Sequence, residues 1–228
     1  MKKNIVIAID GPAGAGKSTL GKKLADHFGF LYIDTGAMYR AFTLKCLRME
    51  VPPEDDEKIS ALLEETDIRL EQHDGILKVF LDDEEVSGKI RTPEVGRSVS
   101  AYSAVPLLRE KMVALQRRMG EEASVVMDGR DIGTVVFPDA DLKIYLDAST
   151  KTRAARRYKE IEGKNTELDA ESDEFKSVMR DQIARDKTDS RREKSPLKPA
   201  EDAVIIDSSE MTIDEVFKTA VELVKKIK

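Results

Sequence analysis

The feature that most constrains this chain is GPAGAGKS at Gly11–Ser18, set between a short apolar run, Asn4–Ile9, and a segment with helical spacing, Lys17–Phe28. It matches the pattern G-x-x-x-x-G-K-[ST]. Glycines there let the backbone wrap closely round phosphate groups with N–H groups pointing inward, and the following helix adds its positive N-terminal end. Such a loop belongs between a buried strand and a helix carrying one apolar face, here Leu20, Leu24 and Phe28. Gly11, Pro12, Ala13, Gly14, Ala15, Gly16, Lys17, Ser18 and Thr19 are therefore expected to cradle the phosphates of a nucleotide such as ATP. In that reading Lys17 neutralises the β and γ phosphates and Ser18 lends a hydroxyl oxygen to Mg²⁺, a hard cation.

Short apolar runs recur at Phe30–Ile33, Ser124–Met127, Leu142–Leu146 and Ala203–Ile206, each followed by polar or glycine punctuation. They lack polar alternation, as strands covered on both faces do. The expected fold is α/β: a P-loop NTPase three-layer αβα architecture with a five-stranded parallel sheet and ligand loops at the strand C-termini. About ninety residues separate the second run from the third, far more than a crossover needs, so an inserted lobe is expected there. It should hold an acidic helix at Pro53–Glu65, an antiparallel hairpin from Gly75–Leu81 and Glu84–Val86, and an amphipathic helix at Ala104–Met119. A last helix carrying Ile213, Val216, Phe217, Ala220 and Val224 should close the sheet. The division read from the sequence is a core of 1–34, 120–150 and 193–228, an insertion region of 35–119, and a further helical region of 151–192.

Hydrophobic residues make up 40% of the 228 and charged residues 36%, too apolar a mixture for a disordered chain. No run approaches the ~20 apolar residues that cross a bilayer, and MKKNIVIAID reaches Asp10 and the glycine loop before it could serve as a signal sequence. A cytoplasmic protein is expected. The net charge of −6 argues against a nucleic-acid polymer or a membrane surface as partner. Arginines nevertheless cluster at 153, 156 and 157 and again at 180, 185, 191 and 192, which suits either a bound anion or a solvated helix face. Cys46, between Leu44 and Leu47, reads as a packed thiol, and His27 and His73 lack the spacing of metal ligands. A P-loop alone does not separate a kinase from a switch GTPase. The nearest match to a guanine-reading Asn-Lys-x-Asp is Asp186–Asp189, which lacks the Asn.

Four further segments decide between these classes: DTGAMYR at Asp34–Arg40, MDGRDIGT at Met127–Thr134, RDKTDSRR at Arg185–Arg192 and SPLKPAED at Ser195–Asp202. In this order and with the P-loop, they resemble the bacterial cytidylate kinases over nearly the whole chain. The resemblance implies phosphoryl transfer from ATP to CMP or dCMP by a monomer, with 35–119 as the monophosphate-binding region and 151–192 as a lid. Arg40 and Arg130 match positions that grip the acceptor 5′-phosphate. Arg109 matches one that donates to the base edge, and Ser100 a base or sugar contact. Thr35 and Tyr39 line the same pocket by resemblance, and Arg185, Asp189 and Arg192 match sugar and phosphate contacts. The helix from Thr150 resembles a lid whose arginines, Arg153, Arg156 and Arg157, close over the transferring phosphate, with Gly163–Ser172 as its tip. Residue chemistry agrees at Asp131, whose carboxylate can accept from the amino group of cytosine and would repel the uracil oxygen. Asp128 has two readings, an acid that orients Mg²⁺ through water or a cap for the next turn. No general base is needed, because the acceptor is already an anionic oxygen.

Overall fold

The computed structural model describes residues 4–73, 76–163 and 168–227. In chain order, β1 (Val6–Asp10) passes through the P-loop into α1 (Lys17–Phe28), β2 (Leu31–Asp34) and α2 (Thr35–Arg48). The insertion follows: α3 (Asp56–Glu64), β3 (Ile68–His73), β4 (Ile76–Leu81), β5 (Glu84–Glu85), a 3₁₀ turn at Lys89–Arg91, α4 (Pro93–Tyr102) and α5 (Pro106–Glu122). The chain then re-enters the core at β6 (Val125–Asp128), makes a π-helical turn at Ile132–Val136 and forms β7 (Leu142–Asp147). A helical pair, α6 (Thr150–Glu162) and α7 (Asp173–Ser190), leads to β8 (Val204–Asp207) and α8 (Ile213–Lys225).

The main sheet is parallel throughout, in the order β2-β6-β1-β7-β8. Strand β1 lies at the centre, flanked by strands that arrive much later in the sequence, so the P-loop opens at the switch point where ligands bind in such sheets. Side chains alternate between two cores. Ile7, Ile9, Tyr32, Val126 and Ile144 face α1 and α8, whereas Ala8, Ile33, Val125 and Met127 face α2 and the insertion. Burying each large aliphatic side chain contributes about 1.5–3 kcal/mol, which is why runs without polar alternation settle here.

All five expected strands are present, but each extends through an aspartate that reads in the sequence as punctuation: Asp10, Asp34, Asp128, Asp147 and Asp207. The ladder pairs Asp34 with Asp128 and Asp147 with Asp207 at the C-terminal edge. Four of these carboxylates are accommodated because backbone amides meet them, and Asp128 because two side-chain hydroxyls do. Asp34 caps α2 by accepting from Ala37 N at 2.8 Å, Asp147 accepts from Ala148 N at 2.8 Å, and Asp207 from Ser209 N at 2.9 Å.

The insertion differs from its sequence reading in three places. The hairpin has a third strand, β3, paired antiparallel to β4; of the expected boundaries, Gly75 lies outside the described residues. Asp82 and Asp83, at φ 49° and 68°, supply the positive-φ tight turn between β4 and β5. The acidic helix starts at Asp56, capped by Asp55, not at Pro53. The amphipathic helix starts at Pro106 because a residue before proline is driven out of helical geometry, and Val105 sits at ψ 119°. A separate α4, capped by Thr92 with Pro93 in its first turn, precedes it. The apolar residues of β3 and β4 share one core with Phe42 of α2 and Ile33 of the sheet.

α6 and α7 carry a small core of their own, with Tyr158 and Phe175 edge to face at 6.0 Å between ring centroids. Part of the expected tip, 164–167, lies outside the described residues. Cys46 is buried on α2, and His27 packs edge-on against Phe28 and Phe217. No helix among the described residues is long and apolar enough to cross a membrane.

Candidate active site

The P-loop leaves β1 at Gly11, and Gly14 and Gly16 adopt φ 77° and 97°, conformations that L side chains rarely take. Helix α1 starts after Gly16 without a side-chain cap, so its first amides remain available to phosphate oxygens. Lys17 is buried, with Nζ donating to the Pro12 carbonyl at 2.8 Å. Burial, reinforced by the nearby Arg130 charge, brings its pKa down from 10.5 to about 7. An arriving polyphosphate would reverse that cost.

Beside Lys17 the Ser18 hydroxyl donates to Asp128 Oδ2 at 3.0 Å, while Tyr32 donates to Oδ1 at 2.7 Å. Burial, with help from the neighbouring Asp34, pushes the Asp128 carboxyl up to about 6. A buried acid next to a hydroxyl at a phosphate loop is a hard-oxygen donor set suited to Mg²⁺. Thr35 donates its hydroxyl to the Asp128 carbonyl at 2.8 Å and thereby fastens the start of α2 to β6.

Four arginines converge beyond the loop. Arg40 of α2 lies 3.2 Å from Asp34, Arg130 follows β6, and Arg185 and Arg192 come from α7 and its C-terminal extension. Asp189 sits among them, its carboxyl held low by Arg130 and Arg192 against the opposing effect of burial. Burial also brings Arg185 down to about 10, with Arg130, Arg40 and Arg192 adding like-charge repulsion. The Nε atoms of Arg40, Arg185 and Arg192 are buried with no hydrogen-bond partner among the described residues. Arginines crowd in this way where they answer an anion. Both Arg130 and Arg185 act on Lys17, so this pocket adjoins the P-loop lysine.

These groups form a closed ring. Arg130 donates to Asp189 at 3.0 Å, Arg192 donates to Asp189 and also to the Ser103 hydroxyl at 2.7 Å, and Arg109 donates to the Ser103 carbonyl at 3.1 Å. Arg109 then donates to Asp131, which follows Arg130 in the chain. Arg109 and Asp131 are both buried, and Tyr39 places its ring 5.7 Å from the Arg109 guanidinium. Burial raises the Tyr39 hydroxyl to about 12, so it stays protonated. Ser100, in the last turn of α4, accepts from the Ser103 hydroxyl through its carbonyl at 3.1 Å.

Helices α6 and α7 lie directly on the P-loop. Arg153 donates to the carbonyls of Ala148 and Ala13 at 2.9 and 3.1 Å and pairs with Asp186 at 2.6 Å. Arg156 donates to the Ala15 carbonyl at 3.1 Å and to the Ser208 carbonyl at 2.7 Å. Arg157, by contrast, is exposed and pairs with Glu160 at 3.0 Å; the structure does not bring it to the site. The expected residues other than Arg157 gather around the P-loop or the arginine pocket. Sequence reading gave no site role to Asp10 or Ser103. The three arginines of α6 were expected to act together, and the structure brings Arg153 and Arg156, not Arg157, onto the loop.

A phosphate loop facing a separate arginine pocket, on a sheet with ligand loops at its switch point, defines a P-loop kinase of small anionic acceptors. The cytidylate kinase profile matches residues 7–226. The chain is 50% identical to a cytidylate kinase from Desulfitobacterium hafniense over 216 residues, which is 95% of this chain and 90% of that one. It is 48% identical to the cytidylate kinase of Caldanaerobacter subterraneus subsp. tengcongensis over 222 residues, covering 97% and 95%. The chain belongs to the cytidylate kinase family. The crystal structure of an uncharacterized protein from Eubacterium ventriosum shares the fold, at TM-score 0.52 and 15% identity over 97% of this chain and 99% of that one.

Proposed function

We propose that this protein transfers the γ-phosphoryl group of ATP to CMP or dCMP, giving ADP and CDP or dCDP. The observation that carries this reading is the arginine pocket beside Lys17, in which Arg130, Arg185 and Arg192 share one aspartate, Asp189, and Arg40, paired with Asp34, adds a fourth guanidinium near Arg185. An acceptor phosphate held there would point its oxygen at the phosphoryl group held by the P-loop, and placement with charge neutralisation is most of what this reaction needs. Lys17 and the α1 amides hold the donor phosphates. Arg130 lies between the two sites and neutralises charge on the transferring group. Asp131, oriented by Arg109, reads the cytosine amino group, with Tyr39, Ser100 and Ser103 walling the base end.

Among the described residues no group of three or more His, Cys, Asp or Glu side chains converges as a metal cage. That agrees with Mg²⁺ held mainly by phosphates and water, with Ser18 as direct ligand and Asp128 acting through water. When bound, the ion would neutralise charge on the donor phosphates. In this reading 35–119 is the monophosphate-binding region, 151–192 the lid, and 1–34, 120–150 and 193–228 the core. Arg153 and Arg156 hold the lid on the loop and help exclude water, and Arg157 has no part. An acidic chain whose arginines converge on one pocket suits a cytoplasmic monomer working on small anions.

The test is a coupled ADP-release assay with ATP and Mg²⁺, offering CMP, dCMP, UMP, AMP, GMP and shikimate in turn, with controls lacking acceptor or containing a chelator. Turnover chiefly with CMP and dCMP, abolished by chelation, is expected. Preference for another acceptor would overturn the base reading, and ADP release without any acceptor would overturn the kinase assignment.

A further inference from the structure

One buried carboxylate at the centre of the molecule has no part in holding phosphate, metal or base. Asp10 ends β1 immediately before the P-loop and is only 5% exposed. Its two oxygens reach across the sheet edge to the π-helical turn, where Oδ1 accepts from Ile132 N at 2.8 Å and Oδ2 from Gly133 N at 2.7 Å. Those amides come directly after Arg130 and Asp131. The turn they open closes on itself, with the Asp131 carbonyl accepting from Val135 N at 2.9 Å and the Ile132 carbonyl from Phe137 N at 2.7 Å. It therefore moves as a unit, and two bonds to one carboxylate fix its rotation as well as its position. The fit is close on the other side too, since a Cβ on Gly133 would stand 3.4 Å from Asp10 Oδ2 and 3.1 Å from Lys143 Cδ.

We propose that Asp10 is a positioning residue that sets the acceptor-reading pair Arg130–Asp131 in register with the P-loop, and so determines both acceptor affinity and base discrimination. The inference rests on the function proposed above. A buried carboxylate is costly unless its hydrogen bonds do something an apolar side chain cannot. Burial pushes this one up to about 6 in spite of two amide donors. What those bonds secure is a constant distance between the strand that carries the donor loop and the turn that carries the acceptor readers.

Asp10→Asn tests this with almost no change of shape, because the amide keeps one acceptor oxygen and turns an NH₂ donor toward the second backbone N–H. KM for CMP should rise about tenfold and the CMP-over-UMP preference should narrow, while KM for ATP moves less than about twofold. Parallel rises in both KM values, or an unchanged CMP-to-UMP ratio with only a loss of thermal stability, would reduce Asp10 to a structural residue. A wild-type enzyme that does not use CMP would instead refute the function itself, before any variant is compared.

Discussion

Replacing Gly11 by alanine separates the geometry of the donor loop from its chemistry, because no charge or hydrogen-bonding side chain is touched. A Cβ built on Gly11 would lie 2.0 Å from the Leu146 carbonyl oxygen and 3.0 Å from its carbonyl carbon, both backbone atoms of the neighbouring strand β7. Real Cβ contacts essentially never fall below 3.0 Å, so the loop must part from β7 by at least the 1.0 Å difference. The residue also sits at φ 144°, where a non-glycine backbone costs about 1–3 kcal/mol. A displacement of that size at the phosphate cradle lowers turnover about 100-fold, and strain of about 1–3 kcal/mol lowers the melting temperature by about 2–12 °C, at about 2–4 °C per kcal/mol for a chain of this length. Gly29→Ala is the matched control. Gly29 also has a positive φ, 68°, but nothing lies within 4 Å of its built Cβ, so the substitution carries strain without displacement. The measurements are kcat in the coupled ADP assay at saturating ATP and CMP, and thermal unfolding for both variants. Gly11→Ala retaining wild-type kcat, or Gly29→Ala losing as much of it, would refute the reasoning.

Further outcomes follow from the acceptor side. Asp131→Ala strands Arg109 as a buried, uncompensated charge and should cost about 3–5 kcal/mol of stability in denaturant unfolding, besides weakening the choice of CMP over UMP; Arg48→Ala, which breaks an exposed pair with Glu84, should cost less than about 1 kcal/mol. Ser103→Ala removes the hydroxyl that meets Arg192 but keeps the carbonyl that meets Arg109, so KM for CMP should rise about fivefold with KM for ATP unchanged. The Asp10 carboxyl is raised from 3.8 to about 6, so between those values the folded chain binds more protons than the unfolded one and ionisation of Asp10 opposes folding. The melting temperature of the wild type relative to Asp10→Asn should therefore decline as pH rises across that window, and a flat difference would contradict the assignment.

The P-loop and the five core strands were legible in the sequence because each rests on a local rule: glycines at fixed spacing, or an apolar run covered on both faces. Strand ends were less so. Asp10 and its four counterparts look like breaks in hydrophobicity, and only the fold shows the backbone amides, or at Asp128 the Ser18 and Tyr32 hydroxyls, that meet each carboxylate. In the insertion, Ile68 and Leu70 do alternate with Arg69 and Glu71, yet a strand of that kind is convincing only once β4 lies beside it. The rotational phase of α6 was the other gap. Residues three and four apart are equally good neighbours on a helix, so spacing from Arg153 does not choose between Arg156 and Arg157. Packing against the Ala13 and Ala15 carbonyls chooses Arg156. Ser103 was invisible for a similar reason, since a lone serine between two helices gives no sign that two arginines from distant segments meet there.

The ring through Arg130, Asp189, Arg192, Ser103, Arg109 and Asp131 has a mechanical consequence. A closed loop of bonds resists shear in a way an open chain of the same bonds does not, so its members share load instead of adding independent increments. The first break releases the constraint on the whole circuit, and a second break finds little left to release. Losses from paired substitutions around it should then fall short of the sum of the single losses. If Asp131 reads the base as proposed, the same closure would carry the loss of the amino group round to the pocket where Arg130 sits. In the proposed reading such an acceptor should enter the pocket and still turn over slowly, because the ring that holds Arg130 against Asp189 would lack its contact at the base end.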